Sequence, residues 1–471
     1  MQILYSKLSY NYLHMSLSSY NQKKQKIIDQ FSELSCGPGS GSVRLSKTTS
    51  NLFRTRTSSK LKSLDVRSLN TVIKIDVNDM AVEVEGMTTF EDLVDATLLH
   101  GMIPLVVPEL KTITIGGGVS GLAIESSSFK YGLAHESVQE MDVLLASGKV
   151  VTCTSDNEYK DLFYGLPNSY GTLGYILKVT TKLRKVAPYI QLKHLRFNNP
   201  KSYFKELNTI STTKKYDGQA VDFIDGTIFG PDELYITLGF DVDQAPYISD
   251  YTGKQIYYQS IRERDEDYLT IYDYIWRWDT DWFWCSRIIK ADKPLVRRLL
   301  GKKHLNSRTY SKLLHLENHY HIGKWIAKMQ RNKLGESIIQ DVQVPILNAE
   351  KFFSFFQTKI GIKPVWVCPT KAKTKDWPYS LYPMDPSSLY INFGFWDSVQ
   401  TTMDPDEGYF NKLIEHKVES LSGMKSLYST SYYKRSNFED LYNYPAHRKL
   451  KQSYDKTARF KDLYEKCVLR Q

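Results

Sequence analysis

The stretch Thr112–Gly132, "TITIGGGVSGLAIESSSFKYG", limits what this chain can fold into more than any other. Gly116, Gly118 and Gly121 fall at the G-x-G-x-x-G spacing of a dinucleotide-binding turn. In a doubly wound α/β fold that turn follows a buried strand, opens a long amphipathic helix at its third glycine, and has an acidic residue about 20 positions on. Here the preceding "TITI" is very short. The continuation "LAIESSSFKYGLAHES" has three consecutive serines, Gly132 and no helical periodicity. A helix also precedes the motif instead of opening from it. Two readings remain: a structural glycine turn, or a loop whose bare amides approach a phosphate without a helix dipole. Glycine permits that close approach, and the Ser126, Ser127 and Ser128 hydroxyls would supply further donors.

The flanks are α+β with short strands, not a regular strand–helix alternation. "TVIKIDVNDMAVEVEG" alternates as a β-hairpin turning at Asn78-Asp79. "MTTFEDLVDATLLHG" reads as a helix with Thr88 and Glu91 as a capping box and Gly101 beyond its end. "MDVLLASGKVVTCT" is a second hairpin turning at Ser147-Gly148, and a strand follows with Tyr175, Leu177, Val179 and Leu183 on one face. Two more loops resemble anion cradles. "RLSKTTSNLFR" lies in a segment, Val43 to Arg67, with seven Lys and Arg against the single Asp65; hydroxyls, amides and cations converge there. "NSYGTLGYI" carries Gly171 and Gly174. Three such loops on one α+β unit suit a long dinucleotide such as FAD.

The order of segments resembles the FAD-binding domain of the vanillyl-alcohol-oxidase (PCMH-type) flavoprotein superfamily. Within it the chain is similar to the Δ24-sterol reductase (Diminuto/seladin) family and its bacterial FAD-binding oxidoreductase relatives. The match is carried by "VEVEGMTTFEDLVDA", "VVPELKTITIGGGVSGLAIESSSFKYGL", "DLFYGLPNSYGTLGYI", "FIDGTIFGPDE", "QDVQVPI", "PVWVCPT" and "FEDLYNYPAHRKL…LYEKC". The resemblance implies a polar leader with a helix (1–39), a two-subdomain PCMH-type FAD-binding domain (40–186), an α+β substrate or cap domain (187–430) and a helical tail returning toward the flavin (431–471). It also implies the FAD contacts: Lys47, Thr48, Thr49, Ser50 and Asn51 in the first loop; Thr114, Ile115, Gly116, Gly117, Gly118, Val119, Ser120, Gly121, Leu122, Ala123, Ile124, Glu125 and Ser126 in the principal segment; and Ile176 on the adenine side. No histidine occurs between His14 and His100, where many superfamily oxidases bond their flavin covalently, so non-covalent FAD is expected. The expected reaction is hydride transfer from reduced flavin to a C=C bond of a sterol-like or other lipophilic substrate, with NADPH a candidate reductant. An FAD-linked alcohol or sugar-type oxidase or dehydrogenase, and a non-catalytic flavin-binding protein, are the rival readings.

Bulk properties narrow the rest. The 471 residues allow two or three modules. A net charge of +10, without a compact basic reader motif, gives no ground for a nucleic-acid partner. The five scattered cysteines contain no CxxC, which suits a reducing, cytoplasmic compartment. There is no apolar run long enough for a membrane span. The basic stretch Arg287–Lys333 is a candidate for peripheral contact with anionic lipid. His315, His319 and His321 do not form an HExxH motif; His315 and His319 could share a helix face, but exposed helix histidines are far commoner than ligands, and no metal is expected. Candidate proton donors are Asp279, Tyr382, Asp385 and His447, each with a structural role as its alternative. "YLTIYDYIWRWDTDWFWCSR" holds four of the eight tryptophans, Trp276, Trp278, Trp282 and Trp284.

Overall fold

The computed structural model describes residues 17–35, 42–48, 53–54, 62–253, 255–310, 312, 335–373 and 379–471. A first helix, α1 (Leu17–Ser35), buries Tyr20, Ile27 and Phe31. Two short strands, β1 (Val43–Ser46) and β2 (Lys62–Asp65), pair in parallel. The alternating segments then build an antiparallel sheet from β3 (Val72–Asp76), β4 (Ala81–Glu85), β6 (Val138–Leu144), β7 (Val150–Thr154) and β8 (Tyr175–Lys185) in the order β3-β4-β8-β6-β7. A short β5 (Met102–Pro104) pairs with the far end of β8. Strand β8 is central, and Tyr175 through Val179 are buried without a break. Both hairpins turn where the sequence indicates, with Gly148 at φ 84° in the second.

Helix α2 (Phe90–Leu98) is capped one residue later than expected. Thr89 Oγ1, not Thr88, accepts the Asp92 amide at 3.1 Å. The shift follows from Thr88 being fully buried, its carbonyl accepting the Ile115 amide at 2.9 Å. Glu91, freed from capping, pairs with Lys111 at 3.1 Å.

The glycine stretch is a helix and not an open loop. Ile115–Ser120 forms one and a half turns, α3, with Thr114 as N-cap. Ser128–Tyr131 adds a single turn, α4, which ends at Gly132 with φ 78°. No long helix follows the third glycine, as its serine-rich continuation predicts.

A small ribbon, β10 (Lys215–Tyr216) with β11 (Gln219–Ala220), accompanies a second, larger sheet. That sheet contains β9 (Tyr189–Phe197), β12 (Phe223–Gly230), β13 (Glu233–Val242), β14 (Glu266–Thr270), β15 (Gly335–Pro345), β16 (Val365–Thr370), β17 (Tyr390–Gln400) and β18 (Met424–Lys425). Its order is β14-β9-β13-β12-β16-β17-β15-β18, antiparallel throughout. Side chains alternate between faces along each strand. Ile338, Val342, Val365, Val367, Ile391, Phe393 and Phe395 therefore pack on helices α5 (Pro200–Thr213), α7 (Ile346–Lys359) and α8 (Tyr409–Ser420). Their odd-phase neighbours, Asp341, Trp366, Gly394 and Trp396, face the first sheet. A single apolar cluster joins the sheets, running from Val82, Phe90 and Val179 to Trp278, Trp284 and Trp366. The aromatic segment lies in this join, and Trp278 and Trp284 are each 1% exposed. The last segments form α9 (Arg435–Leu441), α10 (Tyr444–Tyr454) and α11 (Leu463–Cys467). In the basic stretch, α6 (Pro294–Leu300) is helical; His315, His319 and His321 lie outside the described residues.

Candidate active site

A cavity of about 320 Å³ lies where the two sheets meet. One wall is backbone. Gly116, Gly117, Gly118, Ser120, Gly121, Leu122, Ala123 and Ile124 line it, together with Thr114 and, from β8, Ile176. The wall depends on backbone segments lying in contact. A Cβ on Gly86 would stand 2.3 Å from the Ile176 carbonyl oxygen, and one on Gly116 would stand 2.8 Å from the Gly86 oxygen. Gly117 differs: a Cβ there would meet only Thr114 Oγ1, at 2.9 Å, and otherwise enter open space. Gly86 was not singled out from sequence; its signal was its place directly after a strand, opposite a glycine run.

The structure corrects two expectations about this loop. The first three amides of α3 do not face the cavity bare. Ile115 N donates to Thr88 O, Gly116 N to Gly86 O and Gly117 N to Thr114 Oγ1, at 2.9, 2.9 and 3.2 Å. Nor are the serine hydroxyls cavity donors. Ser126 Oγ bonds Glu125 Oε1 and Tyr274 Oη, Ser127 Oγ donates to Leu105 O, and Ser128 Oγ accepts the Glu125 amide. Glu125 pairs with the fully buried Arg277 at 2.9 Å, and Arg277 reaches Asp225 on β12 at 2.7 Å. The "ESSS" run thus ties the glycine loop to the second sheet. Of the remaining expected contacts, Lys47 lines the cavity while Thr48 is exposed. Ile115 and Val119 belong to the core. Thr49, Ser50 and Asn51 lie outside the described residues.

The opposite wall is made of side chains. Trp282, Phe283, Trp366, Trp396 and Tyr428 line it around Asp341. Strand register explains the group: Asp341 on β15 and Trp366 on β16 both pair with Gly394 on the intervening β17. A Cβ on Gly394 would stand 2.8 Å from Asp341 Oδ1 and 2.5 Å from the Trp396 ring, so the glycine leaves the space both occupy. Trp396 Nε1 donates to Tyr428 Oη at 3.1 Å, Tyr428 Oη donates to Asp341 Oδ2 at 2.7 Å, and Asn392 donates to Asp341 Oδ1 at 2.6 Å. Burial pushes the Asp341 carboxyl up to about 6, against the lowering effect of the Asn392 and Tyr428 bonds. A second acid, Glu109, stands at the cavity with Oε1 lacking a hydrogen-bond partner among the described residues. Burial, reinforced by the Glu125 charge, holds it well above the usual carboxylate range.

None of the four proton donors expected from sequence lines this cavity. Asp279 is buried and accepts from Lys111 N and Ser307 Oγ. Asp385 forms a turn with Ser387 and Ser388. Tyr382 is packed among Tyr433, Tyr442 and Leu463. His447 is fully buried against Thr172 Oγ1 at 2.8 Å, and burial lowers its pKa to about 4. Asp341 was missed because an acidic residue inside a strand normally reads as solvent-facing. The one available signal was "QDVQVP", an acid in an otherwise buried β run.

The cavity suits a flavin dinucleotide along its length. Val43, Leu45, Met87, Tyr175 and Ile176 offer apolar surface. Lys47, Arg54, Lys461 and Lys466 offer cations for its phosphates. Gly117 keeps the backbone wall flush, where any side chain would occupy ligand space. Comparison with known proteins agrees. Residues 43–154 match the FAD binding domain family. The chain is 26% identical to the Delta(24)-sterol reductase of Homo sapiens over 413 residues, which is 85% of this chain and 76% of the human protein. It is 25% identical to the Delta(24)-sterol reductase of Arabidopsis thaliana over 70% of this chain and 60% of that protein. A shorter match, 26% over 168 residues, covers 36% of this chain and 31% of cytokinin dehydrogenase 7 of Oryza sativa subsp. japonica. Residues 43–154 thus match an FAD-binding domain, and over most of its length the chain is similar, at about a quarter identity, to Delta(24)-sterol reductases of animals and plants.

Proposed function

We propose that this protein is an FAD-dependent oxidoreductase that reduces a carbon–carbon double bond of a sterol-like or other lipophilic substrate. The observation that supports this most is the opposition of the two cavity walls: a flush glycine backbone faces an apolar aromatic wall with one protonatable carboxyl, Asp341, set into it. Reduced flavin, when bound, supplies the hydride; the protein supplies orientation and the proton. Gly117 and its neighbours fix the cofactor's distance by their bare backbone. Trp282, Phe283, Trp366 and Trp396 hold an apolar substrate and exclude water. Asp341 holds a proton on its carboxyl at the substrate wall, in a pKa range suited to general acid catalysis. Tyr428 and Asn392 hold that carboxyl in place by donating to Oδ2 and Oδ1.

The test is a single-turnover experiment under nitrogen. Dithionite-reduced enzyme mixed with a sterol bearing a side-chain Δ24 double bond is expected to reoxidise and yield the saturated side chain. Reoxidation by oxygen or a quinone only, with reduction of the flavin by an alcohol or amine, would replace this reading with the dehydrogenase one. The partial likeness to cytokinin dehydrogenase 7 favours that second reading. NADPH is proposed as the physiological reductant and is tested separately by anaerobic bleaching of the flavin.

A lipophilic substrate also needs a route from a membrane. Helix α6 exposes Leu295 and Leu299, 71% and 79% accessible, on one face with Lys293, Arg298 and Lys302 nearby. No helix among the described residues is long and apolar enough to cross a membrane. Peripheral contact through α6 fits both facts. A Leu295→Ser/Leu299→Ser double variant is expected to lose most sedimentation with phosphatidylserine-containing vesicles while its flavin spectrum is unchanged.

A further inference from the structure

The leading amides of the glycine helix are not available to a dinucleotide diphosphate. They donate to Thr88 O, Gly86 O and Thr114 Oγ1. A diphosphate in a partly buried cleft calls for charged donors in their place. Such donors line the cavity, and two of them come from far outside both the family-matched segment 43–154 and the glycine loop: Lys461 and Lys466.

These two lysines are carried on a built structure. Arg459 O accepts the Val43 amide at 3.0 Å, and the Phe460 ring packs on Tyr175 at 4.7 Å between centroids. Lys451 Nζ donates to Phe460 O at 2.6 Å. Asp462 caps α11 by accepting the Tyr464 amide at 2.8 Å, and Glu465 Oε2 accepts the Asp462 amide at 3.1 Å. Lys466 Nζ donates to the Tyr170 carbonyl at 2.5 Å, beside Gly171. An ammonium has three donors, so that bond and service to a phosphate are compatible. Arg54 completes the group: its guanidinium lies 4.9 Å over the Tyr170 ring and donates to Cys467 Sγ at 2.6 Å.

We propose that residues 459–467 are a cationic clamp over the diphosphate of the bound dinucleotide, with Lys461 and Lys466 as its phosphate contacts. The proposal rests on the reading that the cavity takes FAD. The clamp would hold a flavin with no covalent link by closing one side of its site with charge.

The test is equilibrium binding to the full chain, read by quenching of flavin fluorescence, with FAD and with riboflavin, which has no phosphate. Lys461→Glu and Lys466→Glu are each expected to weaken FAD about tenfold or more, in line with a lost charge-assisted bond. Riboflavin affinity is expected to stay within about threefold, and Lys461→Arg and Lys466→Arg to bind FAD within about threefold of the parent. FAD binding by the unaltered protein, with both Glu variants equal to it, overturns the clamp and leaves the flavin reading standing. Equal weakening of riboflavin and FAD also overturns it, because the effect would then be on the fold of the segment. A parent protein that takes up neither flavin overturns both.

Discussion

The two walls of the cavity solve opposite problems. The first is made of main chain: Gly86, Gly116 and Ile176 bring three backbone segments into contact, and Gly117 presents a bare turn to the ligand. The second is made of side chains, Trp366, Trp396, Tyr428 and Asp341, projecting from three strands and a following loop. A backbone wall sets distance and is indifferent to what the ligand carries, as a cofactor site requires. A side-chain wall can change chemistry one residue at a time without moving a strand. Relatives sharing the cofactor are expected to share the first wall and to differ in the second.

The largest effect is expected where the first wall has no room. A Cβ on Gly86 would lie 2.3 Å from a carbonyl oxygen that is itself part of central strand β8. Gly86→Val is expected to cost about 3 kcal/mol or more, since overpacking against backbone cannot be relieved by a rotamer change. Thermal unfolding should show a lower midpoint or no soluble protein. Gly117→Val separates fold from site. Its new side chain meets only Thr114 Oγ1 before entering the cavity, so stability should fall by only about 1 kcal/mol, the scale of a weakened cap. FAD occupancy should be lost. Full occupancy in this variant would show that the flush wall is not where the cofactor lies.

Much of the first wall was legible in the sequence and little of the second was. Glycines have few uses, and a run of them after a hairpin and a helix announces close backbone packing. Even so, sequence could not show that the amides of Ile115 and Gly116 bond inward, because their acceptors, Thr88 and Gly86, lie on the β4–α2 connection; only the Gly117 bond to Thr114 is local. The serine run misled for a related reason. Its hydroxyls are satisfied by Tyr274, Leu105 and Glu125, and the Tyr274 partner is 148 positions away. On the second wall, alternation along β15, β16 and β17 identifies strands without giving their neighbours. Only the register that sets Asp341 and Trp366 on either side of Gly394 turns three separate motifs into one site. The helix cap slipped by one residue because Thr88 and Thr89 are equivalent in sequence, and burial chose between them.

A smaller effect, on chemistry and not on the fold, is expected at Asp341. Its folded pKa of about 6 lies above the usual carboxylate value, so the carboxyl is protonated below about pH 6 and loses its proton as pH rises through that value. A step that requires the acid form should therefore slow about tenfold per pH unit above the folded pKa. Asp341→Asn keeps the shape and removes the proton. Alkene reduction should fall about 10²–10⁴-fold, and the pH limb should disappear. Flavin content and the rate of flavin reduction should stay near parent values, since the change is confined to the second wall. The sign for stability is the reverse of an ion-paired aspartate. The folded state binds the proton more tightly, so this residue's contribution is greatest below about pH 4 and declines toward pH 6. The neutral asparagine should remove that decline from the unfolding free energy measured across the interval.

The finest test of the comparison removes one hydrogen bond of the side-chain wall. Trp396 stacks on Phe283 with centroids 4.2 Å apart, and its Nε1 donates to Tyr428 Oη, which donates to Asp341. Trp396→Phe keeps an aromatic ring but removes the N–H. Tyr428 then loses the bond that polarises its own hydroxyl, and a less polarised hydroxyl stabilises the Asp341 carboxylate less. The Asp341 pKa should therefore rise by a few tenths of a unit, on the order of one-tenth to one-third of a hydrogen bond's strength. The pH limb of alkene reduction should move upward by that amount, and stability should fall by about 1 kcal/mol. The same exchange at Trp366, whose Nε1 points to Asp225 at 3.4 Å, should lower stability similarly and leave the limb in place. If both variants moved the limb equally, the shift would come from packing, and the Trp396–Tyr428–Asp341 chain would not be what holds the proton.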